Sequence, residues 1–169
     1  MIGETHLASH TMFSMPNYTV YRTDRPLTNG APARGGTAIM VHKRVVHQTV
    51  NLPNNNMEAT GVEVKIGGVP SNIVAVYRSP RVPLRMEDID DILSLKDPTI
   101  MAGDLNAKHP HWGSRSTNPA GNTLQLHSQQ RTFEVVGPNN PTHIPYNPDH
   151  EPDIIDVTVL QALPFPYEI

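Results

Sequence analysis

Short stretches in which apolar and polar residues alternate dominate the first half of the chain, a pattern typical of half-buried β-strands. IGE, at residues 2–4, indicates the end of a buried strand, and YTVYR and GGTAIMVHKRV predict a hairpin around a polar Gly/Pro loop at residues 22–36. ATGVEVKIGG and SNIVAVYRSP predict two further strands joined by a turn at residues 67–71. The second of these is the more apolar, so we expect it near the centre of a sheet.

The second half of the chain mixes helices with strands. Apolar residues recur at helical spacing between acidic ones over residues 85–95, which predicts a short amphipathic helix, and NTLQLHSQQRTF predicts another. DPTIMAGDLN predicts a strand between them, and further strands are expected at residues 134–137 and 153–160, before a Pro-rich tail. Runs of strands interrupted by single helices predict an α/β domain with mixed sheets packed face to face and helices outside.

Composition narrows the class of protein. At 169 residues the chain has the length of one domain, residues 1–169, and 17 prolines and 11 glycines indicate many turns. The net charge of -3 gives no global sign of nucleic-acid binding, so a polyanion would have to meet a local patch or a metal ion. The absence of cysteine excludes disulfides and thiolate metal sites. No apolar run reaches the roughly 20 residues of a membrane span, and we expect an intracellular protein without a membrane partner.

Polar side chains that suit phosphoryl chemistry stand at the predicted strand ends. They are Glu4 after the first strand, Tyr77 and Arg78 after the strand of SNIVAVYRSP, Asp104 and Asn106 at the end of DPTIMAGDLN, and Asp156 inside the last strand. The Asp-x-Asn pair by itself is equally compatible with a polar turn. Three recurring carboxylates without cysteine favour Mg²⁺ or Mn²⁺, hard cations that bind a substrate phosphate beside one or two carboxylates.

Four motifs in order, GETHL, VAVYRSP, AGDLNAKHPHWGS and PDIIDVTV, resemble the endonuclease/exonuclease/phosphatase superfamily. The resemblance is strongest to the endonuclease domain of jockey-like non-LTR retrotransposons and spans nearly the whole chain. It implies a four-layer α/β/β/α sandwich of two mixed sheets with outer helices, incomplete at both termini. It also implies a Mg²⁺-dependent DNA-nicking phosphodiesterase, a parent polyprotein with a reverse transcriptase, and action in the nucleus.

The resemblance also assigns roles to individual residues. Glu4 matches the acidic metal ligand, and Tyr77 matches the tyrosine that contacts the scissile phosphate. Asp104 matches the residue that orients or deprotonates the attacking water, while Asn106 matches the one that holds it and a phosphate oxygen. The match for Asp156 is the aspartate that orients the catalytic histidine, and Thr142, in NPTHIP, matches a threonine bordering the site.

Two family motifs have no counterpart in these 169 residues: the Asn of an initial strand and the closing Ser-Asp-His. A positioned acid or base contributes roughly 10² to 10⁴ in rate, so we expect weak or no activity from this chain. None of the nine histidines occupies the family position, and each is expected at the surface. The histidines of HPH lack a third ligand at zinc spacing.

Basic residues around the predicted site are candidates for binding a phosphate backbone. Arg78, Lys108 and Arg115, with Arg81 and Arg85, stand in loops near it, where a solvated loop face is the alternative interpretation. Two further functions stay open at this point. One is a non-catalytic remnant or gene fragment, and the other is a small-molecule phosphatase of the same superfamily.

Overall fold

The computed structural model describes residues 1–27, 31–164 and 166–167, so parts of the predicted Gly/Pro loop and of the Pro-rich tail lie outside the described residues. Nine strands, two α-helices and one 3₁₀-helix follow one another within these ranges. They are β1 (Ile2–Gly3), β2 (Tyr18–Thr23), β3 (Thr37–His42), β4 (His47–Thr49), β5 (Glu58–Ile66), β6 (Val69–Tyr77), α1 (Met86–Leu93), β7 (Thr99–Asp104), the 3₁₀-helix (Pro110–Trp112), α2 (Pro119–Gln130), β8 (Phe133–Val136) and β9 (Asp156–Gln161).

The strands form two sheets. A three-stranded sheet has the order β1-β3-β2, and a six-stranded sheet has the order β4-β5-β6-β7-β9-β8. Among the strand pairs of the described residues, β6 and β7 alone are parallel, with α1 as the crossover, and the other pairs are antiparallel. Because β6 and β7 run in the same direction, Tyr77 and Asp104 end their strands side by side.

Two hydrophobic cores cover the two faces of the larger sheet. Val74 and Val76 of β6 face a core that includes residues of both helices, such as Ile92 and Leu124. The intervening residue Ala75 faces a smaller core, which it shares with Val62 of the neighbouring strand β5 and with Ile39 and Val41 of β3 in the smaller sheet. Successive side chains of β6 point to opposite faces of the larger sheet, so one face packs on the helices and the other on the three-stranded sheet.

The predicted α/β sandwich of two facing sheets is confirmed, with β6 near the centre of the larger one. The described residues form three layers of this sandwich: the two α-helices, the larger sheet and the smaller sheet. Both α-helices contribute to the core on the outer face of the larger sheet. The smaller sheet is antiparallel throughout rather than mixed. Inside the described ranges, no helix has the length and apolar character needed to cross a bilayer.

Several boundaries differ from the predicted ones. The turn between β5 and β6 is shorter than predicted, because Val69 already pairs with Ile66. Helix α2 begins earlier than expected, at Pro119, because the Asn118 side chain caps it. Strand β9 begins at Asp156 rather than at residue 153, since Asp153 bonds instead to the preceding loop. Asp156 therefore opens the last strand.

Candidate active site

A cleft of about 680 Å³ opens where β1, β6 and β7 end. It brings together four residues that the sequence placed at separate strand ends: Glu4, Tyr77, Asp104 and Asn106. The remaining lining comes from the loops around it, namely His6, Arg25, Pro32, Ala33, Arg34, Ser79, Pro80, Arg81, His143 and Ile155. A second cleft of about 580 Å³ adjoins the first and shares Pro80, Arg81 and Asn106 with it.

Glu4 and Tyr77 are joined across the cleft. The Tyr77 hydroxyl donates a hydrogen bond of 2.5 Å to Glu4 Oε1, and burial, together with this bond to a carboxylate, raises the pKa of Tyr77. The Arg25 guanidinium lies over the tyrosine ring, 5.6 Å from its centre. Glu4 adopts a left-handed backbone with φ of 50°, a conformation that costs a non-glycine residue about 1 kcal/mol. The fold thus holds the Glu4 carboxylate in place at the cost of local backbone strain.

Asp104 and Asn106 form a compact turn after β7. Asp104 is 8 % exposed, and its Oδ1 accepts a hydrogen bond of 2.7 Å from the Asn106 backbone N–H. Asn106 has a φ of 48°, a left-handed conformation that asparagine tolerates better than most residues. Its side-chain amide donates to the Arg78 carbonyl oxygen at 3.0 Å. The Asp-x-Asn pair is therefore both a turn and part of the cleft wall.

Burial raises the pKa of Asp104 to about 7. The negative charges of Asp156 and Glu4 add to this increase, whereas the Asn106 N–H and the nearby Arg78 oppose it. An excess of negative charge at the base of the cleft is what a bound cation would neutralise.

We expect Asp104→Asn to raise the melting temperature of the metal-free protein by several degrees at about pH 8 and to change it little at about pH 4. An unfolded aspartate has a pKa near 3.8, against about 7 in the folded protein. The folded state therefore binds the extra proton between these values, and the wild-type chain loses stability as the pH rises through this window. Asparagine does not ionise and keeps an oxygen for the Asn106 N–H.

Thermal melts of both proteins in EDTA across this pH range test the expectation. A stability difference that is the same at both ends of the range would show that ionisation of Asp104 does not cause it.

Asn118 connects this turn to helix α2. Its Oδ1 accepts hydrogen bonds from the backbone N–H groups of Gly121, at 2.8 Å, and Lys108, at 3.0 Å. Its side-chain amide donates to the Asn106 carbonyl oxygen at 2.8 Å. The helix also approaches the loop closely, since a Cβ at Gly121 would lie 1.8 Å from the Lys108 carbonyl oxygen. One side chain thus caps the helix and anchors the turn that carries Asn106.

Asp156 and Thr142 lie beside the cleft without lining it. Asp156 pairs with Asp104 in the register of β9 and β7, and its carboxylate makes no hydrogen bond within the described part of the chain. The Thr142 hydroxyl oxygen accepts from the backbone N–H groups of Ile155 and Asp156, both at 3.1 Å. Thr142 therefore fixes the point where β9 begins.

Arg78 is built into the fold. It is 3 % exposed, and its guanidinium donates to four backbone carbonyl oxygens, those of Ser79, Val82, Leu105 and Asn106. The side chain joins the loop after β6 to the loop after β7. Its donors are consequently directed at the protein backbone and away from the cleft.

Lys108 and Arg115 lie on the loop that follows the Asp-x-Asn turn. The Lys108 ammonium is 2.9 Å from Asp153 Oδ2, and Arg115 pairs with Glu151 at 3.3 Å, with both side chains exposed. Although burial alone would raise the pKa of Asp153, hydrogen bonds from the Arg115 N–H and the Lys108 ammonium hold it below its usual value. Lys108 lines the adjoining cleft.

The cleft also contains residues that the sequence did not single out as site candidates. Arg34 and His143 line it from two loops that are distant in sequence. The signal for His143 was its place directly after Thr142 in NPTHIP, whereas no local pattern marks Arg34. The expectation that every histidine lies at the surface is wrong for His127. It is 2 % exposed, and its Nε2 is 2.8 Å from Asp90 Oδ1 on α1.

The donors in the cleft fit a hard divalent cation that keeps most of its waters. The Glu4 side chain is 47 % exposed, and one of its oxygens is free of the Tyr77 bond. Within the described residues, no group of three or more His, Asp or Glu side chains could hold a metal ion by itself. An oxygen site with one or two carboxylates, completed by waters and a phosphate, is the arrangement that Mg²⁺ uses.

Comparison with known proteins identifies the family of the chain. The profile of a family described as "Endonuclease-reverse transcriptase" matches residues 71–163. The RNA-directed DNA polymerase from mobile element jockey of Drosophila melanogaster is 28 % identical over 155 residues, which are 90 % of this chain and 17 % of that protein. Its counterpart in Drosophila funebris is 25 % identical, over 96 % of this chain and 18 % of that protein. The chain thus spans less than a fifth of the length of these relatives.

Among solved structures, the endonuclease domain of TRAS1, a telomere-specific non-LTR retrotransposon, superposes with a TM-score of 0.65. It shares 19 % sequence identity, and the alignment covers 84 % of this chain and 67 % of that one. This likeness establishes the α/β fold. The profile match covers more than half of the chain and includes Tyr77, Asp104, Asn106 and Asp156. The chain therefore belongs to the endonuclease-reverse transcriptase family.

Proposed function

We propose that the chain is a Mg²⁺-dependent (or Mn²⁺-dependent) phosphodiesterase domain that nicks DNA. The observation that carries the proposal is the meeting of Glu4, Tyr77, Asp104 and Asn106 in one cleft. These residues come from three strand ends, and we propose for each of them the role that the family resemblance implies. The same family includes jockey-type proteins named as RNA-directed DNA polymerases of mobile elements. We accordingly propose a parent polyprotein with a reverse transcriptase, acting on chromosomal DNA in the nucleus.

In the proposed reaction, Asp104 orients a water and accepts its proton while the water oxygen attacks phosphorus. The bond from phosphorus to the leaving oxygen breaks, and that oxygen takes a proton from solvent. Asn106 is proposed to hold the water and a phosphate oxygen, and the Tyr77 hydroxyl, which donates to Glu4 in the structure, is proposed to contact the phosphate. A divalent cation held at Glu4 would stabilise charge on the phosphate oxygens.

The basic residues proposed to contact DNA differ in whether their side chains are already bonded within the protein. Arg34 and Arg81 line the cleft and have no ion-pair partner within the described part of the chain. Lys108 and Arg115 lie on the surface of the loop that follows the Asp-x-Asn turn. From there they would contact the DNA backbone beyond the cleft. Arg78 is excluded from the proposed contacts because its donors are already bonded to backbone carbonyls. Thr142 and Asp156 are proposed to position the edge of the site.

Conversion of supercoiled plasmid to the open-circular form tests the function. We expect slow nicking in Mg²⁺ that EDTA abolishes, slow because the sequence contains no Ser-Asp-His motif. Absence of nicking in both Mg²⁺ and Mn²⁺ would favour the non-catalytic alternative. Release of phosphate from inositol phosphates without plasmid nicking would favour a small-molecule phosphatase.

A further inference from the structure

The cleft has a histidine in its wall, the His of NPTHIP, to which neither the motifs nor the proposed reaction assigns a role. His143 lines the cleft together with Glu4, Tyr77 and Asp104, although it is 39 residues further along the chain than Asp104 (143 − 104). It lies in the long Pro/Asn loop between β8 and β9. A loop of this length without secondary structure of its own is frequently a functional one.

The backbone of His143 is fixed in spite of the loop. Its N–H donates to the Asp153 carbonyl oxygen at 2.9 Å, and the Asp153 N–H donates back to its carbonyl oxygen at 2.9 Å. This bridge is isolated from the two sheets. Asp153 is itself held by Lys108 and by the Arg115 N–H. The imidazole is therefore presented from a rigid point of an otherwise irregular loop.

The ring of His143 has no structural role in the fold. It is exposed, and the hydrogen bonds that His143 makes within the described part of the chain are those of its backbone. Other histidines do have such a role: His127 bonds to Asp90, and His109 accepts from the His111 N–H and packs on Trp112. An exposed imidazole in a cleft wall, carried by a fixed backbone and with a ring N–H free to donate, is suited to contacting a ligand.

The carboxylates of the cleft create a repulsion that contacts to a phosphodiester must offset. Glu4 and Asp104 lie at its base, with Asp156 beside them, and their negative charge repels a phosphodiester. Hydrogen-bond donors on the wall must offset this repulsion for DNA to bind. One local cation, Arg25, is already paired with Glu58. A second basic side chain, that of His6, has its Nε2 4.0 Å from Glu4 Oε1. Arg34, Arg81 and His143 are the basic side chains of the wall with no such pairing within the described residues.

We propose that His143 is a substrate-binding residue whose imidazole N–H donates a hydrogen bond to a non-bridging oxygen of the DNA phosphodiester in this cleft. The inference rests on the proposed function and adds a residue to it. Because the contact is a hydrogen bond to an anion, its loss should weaken binding by about tenfold. The backbone bridge to Asp153 does not involve the ring, so replacing the ring leaves the loop anchored.

Two measurements on the full chain test the proposal. The first is the Kd for a short fluorescent DNA duplex in Ca²⁺, and the second is plasmid nicking in Mg²⁺. We expect His143→Ala to weaken binding about tenfold and to slow nicking at low DNA concentration by a similar factor. His143→Gln, which keeps an N–H donor, should recover part of the loss. His150→Ala, in the same loop but outside the cleft, should match the wild type.

The outcomes separate this proposal from the proposed function. If the wild type nicks DNA and His143→Ala binds and nicks equally well, the role of His143 is refuted and the function stands. If the wild type does not nick, the function fails, while the binding measurement still decides whether His143 contacts DNA. Equal weakening by His150→Ala would assign the effect to the loop as a whole and overturn the proposal.

Discussion

Asp104→Ala is expected to lower plasmid nicking by roughly 10² to 10⁴, which is the usual contribution of a positioned base. Its carboxylate is buried at the base of the cleft beside the Asn106 turn, and no other described carboxylate occupies that point. The same substitution removes a group whose ionised form is disfavoured by burial. Activity should therefore fall without a matching loss of folding stability above neutral pH.

Nicking assays and thermal melts of the same preparations separate the two effects. Glu87→Ala is the matched control, because Glu87 is an exposed carboxylate on α1 that does not line the cleft. It should nick DNA at the wild-type rate. If Asp104→Ala nicks DNA at the wild-type rate, Asp104 has no role in the proposed reaction. If its melting temperature falls strongly, misfolding explains the lost activity.

Gly103→Ala is expected to destabilise the fold by about 3 to 5 kcal/mol, among the largest effects of a single substitution. A Cβ at this position would lie 1.9 Å from the Val76 carbonyl oxygen, which belongs to the backbone of the neighbouring strand. The φ of Gly103 is also +150°, a conformation that L-residues rarely adopt. The two strands that carry Tyr77 and Asp104 would have to separate to accept the methyl group.

Chemical denaturation of the variant measures this loss directly. Gly3→Ala provides the control, because its Cβ would lie 3.7 Å from the same Val76 carbonyl oxygen, an ordinary contact. We expect that substitution to change stability by less than about 1 kcal/mol. Similar stabilities for the two variants would mean that β6 and β7 shift apart at little cost.

Much of the fold follows from local pattern. Alternation and apolar content located β5 and β6 as a hairpin, with β6 near the centre of the larger sheet. The helical spacing of residues 85–95 predicted α1, which spans Met86–Leu93. Glu4, Tyr77, Asp104 and Asn106 were placed at strand ends, and a parallel β6 and β7 pair brings strand ends together. The sequence was therefore sufficient for the centre of the candidate site.

The loops depend on contacts that no local pattern encodes. Arg78 follows a strand beside the cleft, and from sequence alone it is a reasonable phosphate ligand. Its burial results from carbonyl groups on two separate loops that converge on it. His143 reaches the cleft through pairing with Asp153, ten residues further along the chain (153 − 143). Positions of this kind are decided by tertiary packing, which short-range periodicity does not report.

The Asn118 side chain has a consequence for how the site loses order. Because the same amide group caps α2 and holds the Asn106 carbonyl, we expect fraying of the helix start and opening of the Asn106 turn to be one event rather than two. The backbone N–H groups of Gly121, Lys108 and Asn106 should accordingly exchange with solvent at similar rates, as members of a single cooperative unit. The first turn of α2 would then set how long the Asn106 turn in the cleft stays formed.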